Sequence, residues 1–149
     1  MIDHDALVQA HPGLILRGTQ PLSGMALAAK NIRYLLKIHY PDTRFSVVCE
    51  KAAWACSIHI GYTCFPDGPA SEEIEAIVKP FVSGKYDSEK EERIYFTDPE
   101  GETFRKIFGS TPGVHYQANP ASAQDIAEQR AKQLSQACTR TRLSSLRRL

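Results

Sequence analysis

No segment of this 149-residue chain approaches the run of about 18 apolar residues that a membrane-spanning helix needs. The start, MIDHDALVQAHPG, lacks the basic opening and apolar middle of a secretory signal, so the protein is read as cytoplasmic. Its four cysteines, Cys49, Cys56, Cys64 and Cys138, form no C-x-x-C pair; in a reducing compartment they are expected as free, buried thiols rather than a disulfide framework. Glycine is too sparse for a phosphate loop, since Gly101 and Gly109 stand too far apart to make one. These absences remove transmembrane, disulfide-stapled and P-loop classes from consideration.

With 42% hydrophobic and 23% charged residues, the chain fits one globular domain over 1–149, able to bury a core without staples. Its net charge of +1 hides a strong asymmetry. Residues 1–66 carry +2 (six basic, four acidic), residues 67–102 carry −7 (four basic, eleven acidic), and residues 103–149 carry +6 (eight basic, two acidic). An acidic middle and a basic end steer association with surfaces of opposite sign.

The opening residues, punctuated by His11-Pro12-Gly13, Gly18 and Pro21, read as an irregular arm packed through Leu14, Ile15 and Leu16. From about Gly24 to His39, Leu27, Ala28, Ile32, Leu35, Leu36 and Ile38 follow a helical stripe that Pro41 ends. Alternation in RFSVVCE and ACSIHIGY gives two half-buried strands, and a loop of Lys51 to Trp54 sets Cys49 opposite Cys56. After the Asp67-Gly68-Pro69 turn, Ile74, Ile77, Val78 and Phe81 form one helical face whose far end Pro80 limits. ERIYF suggests a further strand and ETFRKIF a short helix, while Ser110–Gln117 reads as a loop. Asn119-Pro120 then reads as cap and first residue of a C-terminal helix with a thin apolar stripe of Ile126, Leu134 and Cys138. The expected architecture is α+β: helix, β-hairpin, helix and a further strand packed as a small antiparallel sheet with helices. The core spans about 24–108 and a C-terminal helical extension about 119–149.

A zinc site on Cys49, Cys56, His59 and Cys64 is disfavoured, because Cys56 and His59 point to opposite faces of a regular strand. Cys64 with His59 or His115 lacks the local signature of a cysteine nucleophile, and an acid–base pair of Glu73 with Asp67 has no evident pocket. Glu72, Glu73 and Glu75 are accounted for by the positive end of the helix dipole. No catalytic residue, metal or cofactor is therefore assigned. Two features favour binding. Trp54 at the hairpin tip either folds onto the core or anchors a partner. The basic residues Arg130, Lys132, Arg140, Arg142, Arg147 and Arg148, with no acid among them, either grip phosphates or solvate a helix.

Phe45-Ser46-Val47, Ser57-Ile58-His59-Ile60, Asp67-Gly68-Pro69, Glu73-Ile74-Glu75-Ala76-Ile77-Val78 and Phe81 together resemble one of the large polyvalent protein-associated domains of phages and conjugative elements. The resemblance spans roughly residues 31–96, departing at Lys51–Trp54, where glycines are usual, and at Ala70, where a capping Ser or Thr is expected. It implies a mobile genetic element and carries no catalytic residues. The expected role is a non-enzymatic inhibitor of a host defence complex, anti-CRISPR or antirestriction in kind, bound to a ribonucleoprotein or nuclease. Trp54, the acidic Glu72, Glu73, Glu75, Glu89, Glu91 and Glu92 and the basic C-terminal residues are the expected contacts. The alternative is a phage or plasmid accessory protein that binds nucleic acid through the basic end.

Overall fold

The computed structural model describes residues 4–51, 56–66 and 68–147, with side chains described up to Cys138. A short helix α1 (His4–Ala10) precedes α2 (Gly24–His39), the hairpin β1 (Phe45–Lys51) and β2 (Cys56–Cys64), and α3 (Ser71–Val78), which ends in a 3-10 turn at Lys79–Phe81. A second hairpin, β3 (Gly84–Asp87) and β4 (Glu92–Tyr95), is followed by α4 (Pro99–Phe108), β5 (Val114–Pro120) and α5 (Ala123–Arg147). The α+β class with a C-terminal helix is as the sequence led one to expect.

Helix α2 has the expected bounds. Its start is fixed by the Ser23 hydroxyl, which accepts from the Ala26 backbone N–H at 3.2 Å. Leu27, Ala28, Ile32 and Leu36 are buried, whereas Ile38 is 54% exposed and lies off the core stripe. Asn31, on the same helix, is fully buried, a place the apolar pattern did not assign to it. The other helical face predicted from sequence also holds: Ile74, Val78 and Phe81 are completely buried, with Ile77 packed at the margin. Each such side chain contributes about 1.5–3 kcal/mol on burial.

The main sheet has the order β1-β2-β5. β1 and β2 are antiparallel with Cys49 opposite Ile58 and Lys51 opposite Cys56, so the predicted pairing of Cys49 with Cys56 is two residues out of register. A shift of two keeps every side chain on its own face, which is why Val47, Ile58, Ile60 and Tyr62 still point inward as read. β5 runs parallel to β2, with Ile58 beside Val114 and Ile60 beside Tyr116, so the sheet is mixed where an antiparallel one was expected. The segment read as a loop at Ser110–Gln117 therefore supplies half of this strand, and Asn119 and Pro120 end it instead of starting a helix. The start of α5 is organised by Ser122, whose hydroxyl accepts from the Asp125 N–H at 3.1 Å while the Asp125 carboxylate accepts from the Ser122 N–H at 3.0 Å. The strand in ERIYF does form, as β4, but in a separate two-stranded sheet with β3, which has Tyr86 opposite Arg93.

Two buried polar residues tie these parts together. The Asn31 amide accepts from the Ile15 N–H at 2.7 Å and donates to the carbonyls of Ile15 and Phe108 at 3.0 and 2.9 Å, fastening the N-terminal arm and the end of α4 to α2. Arg105 on α4 donates to the carbonyls of Val82 and Phe96, which bracket the β3–β4 hairpin, and pairs with Asp98 at 3.7 Å. Gly109 closes α4 at φ 96°, and a Cβ there would lie 2.5 Å from the Ala28 nitrogen, so only glycine permits this approach of α4 to α2.

Candidate functional site

The residues singled out from the sequence do not converge on one surface. Glu73 accepts from the Tyr40 hydroxyl at 2.8 Å, which ties the start of α3 to the end of α2. Glu72 and Glu75 turn instead toward the β3–β4 hairpin, and Glu89, Glu91 and Glu92 lie exposed on that hairpin's tip and following strand. The expected acidic face is thus divided between two sides of α3. Arg130 and Lys132 are exposed on α5. Trp54 and Arg148 lie outside the described residues, as do the side chains of Arg140, Arg142 and Arg147.

On the open face of the main sheet, His59 of β2 and His115 of β5 sit side by side in register, their rings 4.8 Å apart. The Glu50 carboxylate and the Ser57 hydroxyl both approach His59, at 2.5 and 3.1 Å, and both do so at Nε2. A serine–histidine–acid relay needs the serine on one ring nitrogen and the acid on the other. With both partners on one nitrogen, the acid cannot orient the ring for the serine. Cys64 shares the inward parity of Ile58, Ile60 and Tyr62 on β2, so it faces away from His59. All four cysteines are free; Cys49 and Cys64 are half-buried, but Cys56 and Cys138 are exposed, contrary to the expectation of burial. Among the described residues, no three His, Cys, Asp or Glu side chains are grouped to hold a metal ion. No helix among them is long and apolar enough to cross a membrane.

A cleft of about 780 Å³ lies where the two sheets meet. One wall is α3, presenting Glu72 and Glu75, continued by Lys79. The facing wall is the β3–β4 hairpin, with Lys85, Tyr86 and Arg93, and Phe96 just beyond it. Its floor is the start of β5, including His115 and Tyr116. Burial, and secondarily the charge of Glu75, pushes the Tyr116 hydroxyl up to about 12, so it stays a neutral donor at neutral pH. The hairpin wall is made thin by Gly84, where a Cβ would meet the Ile94 carbonyl oxygen across the pair.

Arg93 is the unusual member of this cleft. Its guanidinium carbon lies 5.7 Å from the centre of the Tyr95 ring. Its Nε and Nη2 are buried and have no hydrogen-bond partner among the described residues. Sequence patterning carried no sign of this residue, because an arginine on a short exposed-looking hairpin reads as solvated; the alternation of Tyr86, Arg93 and Tyr95 on one hairpin face becomes visible only once β3 is paired with β4.

Searches among curated proteins and among solved structures found no match. A family model does match, over residues 23–136, from the start of α2 through more than half of α5, and thus well beyond the part of the chain that carries the resemblance in sequence. The chain belongs to the family of large polyvalent protein associated domain 29, and with it to a group of domains associated with phages and mobile elements.

Proposed function

We propose that the protein is a mobile-element-encoded binding protein that inhibits a host defence complex, anti-CRISPR or antirestriction in kind, by direct protein contact and without catalysis. The observation that carries the reading is α5. This helix of 25 residues, about 38 Å long at about 1.5 Å per residue, has nearly all of its described side chains in solvent, including Leu134 at 67% exposure. Its attachment near the sheet is polar, through Arg44 and Glu128 at 3.7 Å. A helix that contributes so little to the core is suited to contact another molecule. The acidic residues at the far hairpin, Glu89, Glu91 and Glu92, offer a second surface of opposite sign, and such complementarity favours specific encounter with a groove built for nucleic acid. The placement of both Glu50 and Ser57 on one nitrogen of His59 supports a non-catalytic role.

The test is an interference assay in cells carrying a defence system, scored by plasmid or phage survival with and without this protein. The reading predicts that survival rises with the intact chain and falls back when α5 is truncated at about Ala137 or when Glu89, Glu91 and Glu92 are changed together to Gln. Survival unmoved by the intact chain across a panel of defence systems would sink it.

One observation favours the second reading, direct nucleic-acid binding: six basic residues and no acidic ones from Arg130 to Leu149. That reading predicts affinity falling steeply with salt and retention from a lysate that disappears after nuclease treatment. Retention of a protein partner after nuclease treatment favours the inhibitor.

A further inference from the structure

We propose that the cleft between α3 and the β3–β4 hairpin is a nucleotide-binding site, with Arg93 receiving the phosphate and Tyr86 or Phe96 stacking on the base. Two buried Arg93 nitrogens lack a hydrogen-bond partner among the described residues. Nε and Nη2 are the pair whose N–H bonds point the same way along one edge of the guanidinium, the edge that grips an oxyanion with two parallel hydrogen bonds. The Tyr95 ring lies over the group, its centre 5.7 Å from the guanidinium carbon, and supplies no hydrogen bond to that edge. Two guanidinium nitrogens buried without a hydrogen-bond partner are costly, and Arg93 forms no ion pair among the described residues; an anion bound at that edge removes both deficits.

The rest of the cleft selects among oxyanions. Its volume of about 780 Å³ is far larger than a carboxylate or free phosphate fills, and lies within the usual range of small-ligand sites of about 300–1,000 Å³. Lys85 alternates to the other face of the hairpin, so Arg93 is the cation that shares a face with Tyr86. Tyr86 stands directly opposite Arg93 in the strand register, offering a flat ring one residue across from the phosphate position. The opposite wall holds Glu75, an acceptor for the hydroxyls of a sugar or the exocyclic amine of a base. A cation and rings on one wall with an acceptor on the other match a phosphate joined to a planar, hydrogen-bond-donating group. A simple acidic side chain would leave the rings and Glu75 unused. This site is separate from α5 and from the acidic hairpin tip, so it stands or falls apart from defence inhibition.

Titration calorimetry on the full chain tests it with adenosine monophosphate, inorganic phosphate and a short oligothymidylate. The mononucleotide is expected to bind saturably, with affinity reduced about tenfold in Arg93→Lys, which keeps the charge but loses the two-bond edge. Tyr86→Ala is expected to cost about fivefold or more through loss of stacking. Tyr86 is 63% exposed, so this variant keeps the fold even if Arg93→Lys does not, and circular dichroism melting checks both. Oligonucleotide binding tighter than the mononucleotide, with the same sensitivity to Arg93→Lys, supports the site and places its nucleotide in a nucleic-acid chain. Tighter mononucleotide binding supports a free nucleotide. The proposal is overturned if neither nucleotide probe binds saturably, if phosphate binds as well as the mononucleotide, or if only the oligonucleotide binds and does so regardless of Arg93→Lys.

Discussion

Asn31 is a single side chain on which three separate segments depend. Its amide satisfies both backbone groups of Ile15 and the carbonyl of Phe108 from a fully buried position, so replacing it removes three hydrogen bonds and strands their partners away from water. Asn31→Leu is expected to lower stability by about 2–4 kcal/mol, read from urea unfolding, even though leucine is the better helix former. Gly109→Ala is a comparable test of backbone geometry. The new Cβ would have to enter at a φ of 96° and press on the backbone of α2, so a loss of about 3 kcal/mol or insoluble expression is expected. Tyr116 gives a readout that depends on pH. An unfolded tyrosine ionises at about 10 and the folded one at about 12, so the folded chain holds this proton more tightly. The stability this contributes is complete below about 10 and disappears as pH rises through about 12. A tyrosinate absorbance titration should show three of the six tyrosines, Tyr40, Tyr62 and Tyr116, ionising late, and in Glu75→Gln Tyr116 should ionise somewhat earlier.

At the scale of elements, the starts of α3 and α5 make opposite predictions. Ala70 caps α3 with no side-chain hydrogen bond, so Ala70→Ser is expected to stabilise the protein by about 0.5–1 kcal/mol, measured as a rise in melting temperature. α5 already has its cap. Accepting from Ser122 holds the Asp125 carboxyl below its usual 3.8, so the helix start is fully supported above that value and loses the support as pH falls through the lower folded value. Amide exchange at Asp125 and Ile126 should quicken on acidification before exchange in α2 does. The elements also differ in how far they were legible in the sequence. α2 and α3 each bury one continuous stripe, and periodicity reports a stripe directly. β5 was hidden because only Val114 and Tyr116 mark its inward face and Asn119-Pro120 imitates a helix start. β3 has four residues, too few for alternation to stand out. The cleft was illegible for the same reason: Tyr86, Arg93 and Tyr116 are brought together by three strands, β3, β4 and β5, whose pairing no local pattern announces.

For the molecule as a whole, the family and the α+β class are each as expected from the sequence, while the charge map needs its geometry. The acidic segment is not one continuous face, since Glu73 is occupied by Tyr40 and Glu72 and Glu75 belong to the cleft. A partner that reads negative charge would meet it at the hairpin tip, and a partner that reads positive charge would meet it along α5.

The parallel pairing of β5 with β2 also sets a timetable for synthesis. Val114 follows its neighbour Ile58 by 56 residues, so a ribosome adding about 5–20 residues per second releases the middle strand roughly 3–11 s before the strand that flanks it. During that interval the nascent hairpin shows an open hydrogen-bonding edge beside Ile58 and Ile60, a template for any extended chain nearby. Strong overexpression, which puts many such open edges together at once, is therefore expected to yield aggregates, and a lower level of induction should recover soluble protein.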